Sequence, residues 1–341
     1  MSGLLASCSS SKNENPRYPA KFVNSDPAFV AQGNLFEIIK AYFTVERKNP
    51  TPTFALPVQA ITAKQLLTEK SDVVYRLGHS SVVMKLDGQL VMADPVFSDR
   101  ASPFQFIGPK RFHPTPISLA DLPNIDVVVI SHDHYDHLDK HSVKTLEEKV
   151  GVFLVPLKVG KHLLDWGISE DKIVELEWWE SKEINGITYT FTPTQHFSGR
   201  TLADGNATLW GSWAIKSAEK NVFFSGDSGY FDGFKEIGEK LGPFDLTMVE
   251  TGAYNTLWSN IHMFPEQSVQ AHIDLQGKVM MPIHNSTFDL SMHDWQEPME
   301  KAIAISEALG VTVVSPEIGQ RLEVGEAMPI ATWWNNASEG K

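Results

Sequence analysis

The stretch Asp126-Val127-Val128-Val129-Ile130-Ser131-His132-Asp133-His134-Tyr135-Asp136-His137 decides the fold prediction for this chain. Its first half is short, β-branched and almost continuously apolar, which predicts a buried strand. Its second half carries His132, His134, Asp136 and His137 within six residues. Side chains alternate along an extended segment, so His132 and His134 are expected to point the same way. Packed this closely, the four groups would repel or desolvate one another without a cation, which predicts a metal-binding loop.

Three later residues of the same chemical types also follow predicted strands. His196 ends Thr192-Pro193-Thr194-Gln195-His196, Asp227 ends Phe223-Phe224-Ser225-Gly226-Asp227, and His284 follows Met280-Met281-Pro282-Ile283. Open sheets place their sites at the carboxyl ends of strands, so these residues are expected to lie beside the first loop. Imidazole and carboxylate are ligands that zinc and similar metals accept.

The spacing of the loop is the H-x-H-x-D-H motif, and the chain resembles the metallo-β-lactamase superfamily over about residues 70–320. The resemblance implies an α/β fold of four layers, an αββα sandwich. It also implies two metal ions, with His132, His134 and His196 on one, Asp136, His137 and His284 on the other, and Asp227 bridging them. Two Zn²⁺ ions are the expected cofactors, and Mn²⁺ or Fe²⁺ are compatible with such ligands.

Further segments resemble one branch of that superfamily, the N-acyl-phosphatidylethanolamine phospholipases D. They are Gly78-His79-Ser80-Ser81, Ala93-Asp94-Pro95-Val96-Phe97, Arg100-Ala101-Ser102-Pro103, Trp210-Gly211-Ser212-Trp213, Gly226-Asp227-Ser228-Gly229-Tyr230, Gly242-Pro243-Phe244-Asp245-Leu246 and Gly252-Ala253-Tyr254. The related ascorbate-6-phosphate lactonases share the metal motif more than these segments. The chain departs from the mammalian phospholipase at Asn285-Ser286, where that enzyme has Trp-Gly, and in a shorter stretch at Thr256–Ile261.

The resemblance implies hydrolysis of a phosphodiester by water that two cations acidify. Asp136 and Asp227 are the expected catalytic carboxylates. His262 is expected to donate to a phosphoryl oxygen or to the leaving group. His79 is expected to line the site or support a ligand, and Asp94 to orient a metal-binding histidine. Seven aromatic residues are candidates for an apolar approach: Phe104, Phe106, Phe112, Trp178, Trp179, Phe197 and Trp258.

Two other functions fit the same sequence. One is a metal-dependent lactonase or ester hydrolase, and the other is a non-catalytic envelope lipoprotein that keeps the fold. The substrate is expected to be a phospholipid or a small molecule. The chain has 29 Lys and Arg against 42 Asp and Glu, a formal charge of −13, which would repel nucleic acid. The oligomeric state is left open.

The beginning of the chain resembles the end of a bacterial lipoprotein signal peptide, with Leu5-Ala6-Ser7-Cys8 as its lipobox. Residues 1–20 are accordingly expected to be a disordered tail or a lipoprotein tether, ahead of a single hydrolase domain at 21–341. If a signal peptide precedes this start, acylated Cys8 would anchor the protein in the cell envelope; otherwise the expected location is the cytoplasm. Cys8 is the one cysteine, so an intrachain disulfide is excluded.

Hydrophobic patterns predict an alternation of strands and helices. A hairpin is expected at residues 73–93, with Asp87-Gly88 as its turn, and an ordered loop at 95–116. The other predicted strands are Asp126–Ile130, Val152–Val155, Ile187–Phe191, Trp213–Ile215, Val222–Phe224, Leu246–Val249, Val279–Pro282 and Val311–Val314. The predicted helices are Leu35–Phe43, 140–150, 158–166, 232–241, 265–276 and 297–309.

Overall fold

The computed structural model describes residues 15–26, 29, 37, 40, 41 and 44–335. Cys8 and most of the predicted helix at Leu35–Phe43 lie outside the described residues. Arg17 is described, and its guanidinium donates to the carboxylate of Glu180, with one hydrogen bond of 2.7 Å. Within the described part, no helix is both long enough and apolar enough to cross a bilayer.

The first sheet has seven strands, in the spatial order β13-β1-β2-β3-β4-β5-β6. They are β1 (Val73–Gly78), β2 (Ser81–Leu86), β3 (Gln89–Ala93), β4 (Ile125–Val129), β5 (Val150–Pro156), β6 (Ile173–Leu176) and β13 (Arg321–Glu323). The pairs from β13 to β3 are antiparallel, and those from β3 to β6 are parallel. The predicted turn joins β2 to β3, where Asp87 and Gly88 have φ of 45° and 77°, as a tight hairpin requires.

The second sheet has six strands, in the order β12-β11-β10-β9-β8-β7. They are β7 (Ser181–Ile184), β8 (Ile187–Thr192), β9 (Ser212–Lys216), β10 (Asn221–Phe224), β11 (Phe244–Glu250) and β12 (Gly277–Ile283). Strands β10, β11 and β12 are parallel, and the remaining pairs are antiparallel. Each sheet therefore has a parallel half, and the site residues follow strands of these halves and β8.

Among the described residues, six uninterrupted α-helices cover the outer faces of the two sheets. They are α1 (Ala63–Thr68), α2 (Lys140–Leu146), α3 (Val159–Asp165), α4 (Gly233–Leu241), α5 (Pro265–Asp274) and α6 (Glu297–Leu309). Short 3-10 turns occupy Glu147–Lys149, Glu170–Lys172 and Thr256–Trp258. One buried apolar cluster fills the space between the sheets, a second joins the first sheet to α1–α3, and a third joins the second sheet to α4–α6. The predicted αββα sandwich is confirmed.

The strand at Val311–Val314 was a wrong prediction. Val313 forms only an isolated parallel bridge to Met280, in the middle of β12, and the pairing does not extend to a strand. Strands β6, β7 and β13, by contrast, were not predicted. All three lie at sheet edges, where one face or one side meets water and apolar alternation is weak.

Candidate metal centre

All seven predicted ligands converge at one edge of the sandwich. The loop after β4 supplies four of them, and His196, Asp227 and His284 follow β8, β10 and β12. Their nitrogen and oxygen atoms fall into groups of four whose members lie within 4.8 Å of one another. Five of the seven residues are almost completely buried: His132, His137, His196, Asp227 and His284. The two sheets thus contribute to one centre.

The first group consists of His132, His134, His196 and Asp227. His134 Nδ1 lies 2.9 Å from His132 Nε2 and 3.3 Å from His196 Nε2. Ligands of a tetrahedral zinc with bonds of about 2.0 Å are about 3.3 Å apart. Asp227 Oδ2 lies 3.7 Å from His132 Nε2 and 3.8 Å from His196 Nε2. The spacing suits one ion held by three nitrogens and a carboxylate.

The second group contains Asp136, His137 and His284, and Asp227 reaches it as well. Asp227 Oδ1 is 3.1 Å from His137 Nε2, and Asp227 Oδ2 is 3.1 Å from His284 Nε2. Asp136 Oδ2 lies 3.3 Å from His284 Nε2 and 3.7 Å from His137 Nε2. Because Asp227 contacts both groups, its position is the one that the bridging role requires.

His79 also belongs to the second group, although it was not among the predicted ligands. Its Nε2 lies 3.0 Å from Asp136 Oδ2, and its ring centroid lies 4.0 Å from that of His284. The side chain is 1% exposed. The expectation that His79 lines the site agrees with this position, in the turn between β1 and β2.

Hydrogen bonds behind two of the candidate ligands, His137 and His196, fix which ring nitrogen faces the centre. His137 Nδ1 is 2.7 Å from Asp94 Oδ2, and His196 Nδ1 is 2.9 Å from the carbonyl oxygen of Ile261. Ser131 donates its backbone N–H and its hydroxyl to Asp94. An acceptor at Nδ1 holds the proton there and leaves Nε2 free to bind a metal. Asp94 therefore has the supporting position that the sequence predicted.

Several inward atoms of the second group have no hydrogen-bond partner in the described part of the chain, and a bound cation would satisfy them. They are His137 Nε2, His284 Nε2 and Asp227 Oδ1. Burial disfavours an imidazolium, yet Asp227 and Asp136 raise the pKa of His284 to about 10. In the first group, burial holds the pKa of His132 and His196 well below the ordinary value. The first group thus offers neutral imidazoles, and the carboxylates of the second group attract positive charge, which a bound divalent cation would supply in place of protons.

Unusual backbone conformations occur at several of these positions. His79, Asp94 and His284 have φ of 53°, 41° and 62°, a region that non-glycine residues rarely adopt. Gly226, directly before Asp227, has φ of 56°, and a Cβ there would lie 2.5 Å from Ser131 Cβ. Four residues with left-handed backbone therefore lie at the candidate metal centre, a feature that functional sites often show.

A cavity of about 330 Å³ opens over the centre. His134, Asp136, Asp227, His262 and His284 provide its polar lining, and the rest is apolar: Phe197, Ala253, Trp258, Ile261 and Leu290. The predicted aromatic approach is thus correct for Phe197 and Trp258. It is wrong for Phe104 and Phe106, which are exposed, and for Phe112, Trp178 and Trp179, which border other clefts. A polar floor with apolar walls suits an amphipathic substrate.

His262 lies in the wall of this cavity and is held by a buried carboxylate. Its Nδ1 makes a very short hydrogen bond to Glu250 Oε1, and Ser228 N donates to Glu250 Oε2 at 2.6 Å. Glu250 is fully buried at the end of β11. Glu250 was not among the site residues predicted from the sequence. Its one signal was a carboxylate directly after the apolar run Leu246–Val249.

The chain belongs to the β-lactamase superfamily, since residues 90–285 match the Beta-lactamase superfamily domain. Fold and site together define a metal-dependent hydrolase of the metallo-β-lactamase type. Within that class it falls in the branch of the N-acyl-phosphatidylethanolamine-hydrolysing phospholipases D. Phospholipase D 1 of this kind from Caenorhabditis elegans is 40% identical over 267 residues, which cover 74% of this chain and 75% of that protein.

Two further relatives extend the comparison. A Mycobacterium tuberculosis protein is 41% identical over 338 residues, covering 96% of this chain and 90% of that protein. The metallo hydrolase Igni18 from Ignicoccus hospitalis superposes with a TM-score of 0.58 at 20% identity, covering 74% of this chain and 98% of that one. At this identity the superposition shows the shared fold alone.

Proposed function

We propose that this protein is a dinuclear zinc phosphodiesterase of phospholipase D type, acting on N-acyl-phosphatidylethanolamine or a related phosphodiester. The observation that carries the proposal is the 40% identity to the Caenorhabditis elegans phospholipase across three quarters of both chains. The apolar walls of the cavity support a substrate with an acyl chain, and its polar floor supports a phosphodiester beside the cations.

The metal ligands in this proposal are the seven convergent residues. His132, His134 and His196 would hold one cation; Asp136, His137 and His284 would hold the other, with Asp227 shared. Two bound divalent cations supply acidified water and neutralise the charge that builds up on the phosphoryl oxygens. Asp227 would keep the pair together, and Asp94 would keep His137 Nε2 directed inwards.

His262 and Glu250 would act on the substrate side of the reaction. Glu250 would accept from Nδ1 of a doubly protonated His262 ring, which orients the imidazolium and leaves its Nε2 proton for donation to the substrate in the cavity. A donor there would hold a phosphoryl oxygen or protonate the departing oxygen when the P–O bond breaks. The products from N-acyl-phosphatidylethanolamine would be phosphatidic acid and an N-acylethanolamine.

A substrate panel tests the proposal against both alternatives. The zinc-loaded protein would be assayed on N-acyl-phosphatidylethanolamine, bis-p-nitrophenyl phosphate, a lactone and a β-lactam, with bound metal counted in each preparation. We expect hydrolysis of both phosphodiesters and its loss in a chelator. Turnover of the lactone alone would establish the lactonase alternative. Inactivity on the whole panel at full metal occupancy would favour a non-catalytic protein.

The location of the protein enters the proposal through Cys8. An acyl group on Cys8 would tether the hydrolase to a membrane, close to a phospholipid substrate. Cell fractionation of the native gene product, with the mass of its N-terminal peptide, tests this. An unmodified Cys8 in the cytosolic fraction would contradict it.

A further inference from the structure

Four large apolar side chains project into solvent from two neighbouring loops. The relative exposure is 55% for Phe104, 79% for Phe106 and 59% for Ile107, and Leu202 is fully exposed. We call these four residues the apolar rim. Scattered exposed apolar residues are ordinary in soluble proteins, but a cluster of large ones marks a contact surface.

The loop that carries three of these residues is held by hydrogen bonds at its base. Arg100 pairs with Lys110 in an isolated antiparallel bridge, and the Arg100 guanidinium donates to the carbonyl oxygen of Gly108. Gln105 Nε2 donates to the carbonyl oxygen of Arg100 at 3.2 Å. The rings of Phe104 and Phe106 pack on each other with centroids 5.4 Å apart. The loop therefore presents its apolar side chains outward in an ordered conformation.

A cleft of about 560 Å³ separates the two loops, with Pro103 and Gln105 on one side and Thr201 and Asp204 on the other. Its lining also includes Lys140 and Lys144, which are exposed. Neither lysine forms an ion pair with any residue that the structure describes, and Lys140 Nζ lies 5.9 Å from the Trp166 ring centroid. These two charges are therefore available to an external anion.

The cleft lining carries three basic side chains, since Arg200 joins the two lysines, against the two carboxylates of Asp139 and Asp204, a formal charge of +1 with histidine neutral. Asp139 accepts hydrogen bonds from the backbone N–H of Ser98 at 3.0 Å and of His141 at 3.1 Å. Asp204 accepts from the backbone N–H of Thr201 at 2.7 Å. Both carboxylates are thus engaged in holding their own loops. The cleft is a locally basic region on a chain whose formal charge is −13.

We propose that the apolar rim, with Lys140 and Lys144, docks the protein on a bilayer that contains anionic phospholipid. Aromatic and aliphatic side chains at loop tips insert at the boundary between headgroups and acyl chains, while adjacent lysines are attracted to anionic headgroups. Charge complementarity favours this occupant over a second copy of the acidic chain.

The docking surface adjoins the metal centre. Tyr135, in the wall of the cleft, lies between His134 and Asp136 of the metal-site cavity. The Tyr135 hydroxyl donates to the carbonyl oxygen of Arg200 at 3.0 Å, which joins the metal loop to the loop of Leu202. Docking would therefore hold the reaction site close to membrane lipids. Only this link to a lipid substrate depends on the proposed function.

Vesicle sedimentation tests the proposal on the full-length, zinc-loaded chain, with Cys8→Ser in every protein so that acylation contributes nothing. The vesicles are phosphatidylcholine alone or mixed with phosphatidylglycerol. We expect binding to the mixed vesicles, and a loss of at least about tenfold in affinity for Phe106→Ser combined with Leu202→Ser. Lys140→Gln with Lys144→Gln should remove the preference for phosphatidylglycerol, as should high salt.

The control pair is Leu67→Ser with Leu309→Ser, which changes two exposed apolar residues in α1 and at the end of α6, outside the two loops of the apolar rim. It should bind vesicles like the parent protein. All variants should hydrolyse soluble bis-p-nitrophenyl phosphate at the parent rate. Unchanged vesicle binding by the Phe106 and Leu202 variant would overturn the proposal. If that variant also turned a dimer into a monomer, the rim would be an interface between copies.

The outcomes separate this inference from the proposed function. A parent protein that binds vesicles through the rim but hydrolyses no phosphodiester would refute the phosphodiesterase and leave the docking surface standing. A protein that hydrolyses N-acyl-phosphatidylethanolamine but ignores vesicles of both compositions would refute the docking surface and leave the enzyme standing.

Discussion

Asp94→Asn should weaken the metal centre without changing any metal-facing residue. The backbone N–H of Ser131 donates to Asp94 Oδ1 at 2.7 Å. In the variant, the amide oxygen of Asn would accept this hydrogen bond. Its NH₂ group would then face His137 Nδ1, which lies 2.7 Å from Asp94 Oδ2 in the parent protein. Because NH₂ is a donor, Nδ1 must become an acceptor and the ring proton must move to Nε2, the atom that faces Asp227.

The expected loss follows from that change of tautomer. Losing a carboxylate that orients a histidine ligand costs about 10- to 100-fold in metal affinity or activity. This corresponds to about 1.4 to 2.7 kcal/mol. The assay is a competitive titration of zinc against a chromophoric chelator, together with kcat on bis-p-nitrophenyl phosphate. We expect weaker binding of one of the two equivalents and a proportional fall in kcat at limiting zinc.

Asp126→Asn is the matched control, because Asp126 lies near the opposite end of β4 and its Oδ2 accepts from the backbone N–H of Leu90. It makes the same chemical change away from the site and should leave the zinc titration unaltered. Thermal melting of the metal-free proteins would check that both variants fold. Parent-level affinity for both zinc equivalents in folded Asp94→Asn would refute the assigned role of Asp94.

Three further predictions concern single substitutions. Asp227→Asn should lower turnover more than about a hundredfold, because the amide cannot supply the shared negative charge; near-parent activity at full metal occupancy would rule out bridging. Glu250→Gln should lower kcat by about a hundredfold with bound zinc unchanged, since it frees the His262 ring; a parallel loss of zinc would instead assign Glu250 to the metal site. Burial lowers the pKa of His272 from 6.5 to about 4, because the folded protein favours the neutral ring. The folded state therefore loses about 3 kcal/mol of unfolding free energy as the pH falls from 6.5 through 4. His272→Gln should flatten the fall in unfolding free energy across that window, measured by denaturant titration, whereas exposed His141→Gln should follow the parent; a parent-like slope for His272→Gln would contradict the assignment.

Interior strands were predictable from the sequence, and edge strands were not. Strand β4 consists of apolar β-branched residues around one Asp, a pattern that burial on both faces imposes. Strand β7, Ser-Lys-Glu-Ile, has three exposed residues at the border of its sheet, where no such pattern is required. Val311–Val314 has the opposite property: it is apolar because it packs on the core, yet it pairs at one residue only.

The candidate metal-binding loop was predictable for a related reason. His132, His134, Asp136 and His137 are close in sequence, so their chemical incompatibility is visible without a structure. Glu250 and His262 are 12 residues apart and lie beside each other only because β11 and the segment before α5 meet at the site. A pair of this kind has no signature in spacing. Its members can be recognised only after the chain has folded.

The arrangement of the sheets explains why Asp227 lies close to both groups of candidate ligands. The loop after β4 belongs to the first sheet, whereas His196, Asp227 and His284 belong to the second. Each group of ligands therefore combines side chains from both sheets, and Asp227 lies where the two groups meet. Metal-binding free energy at such a site is also folding free energy. Cations held there would fasten together the two halves of the sandwich at the edge where the substrate cavity opens.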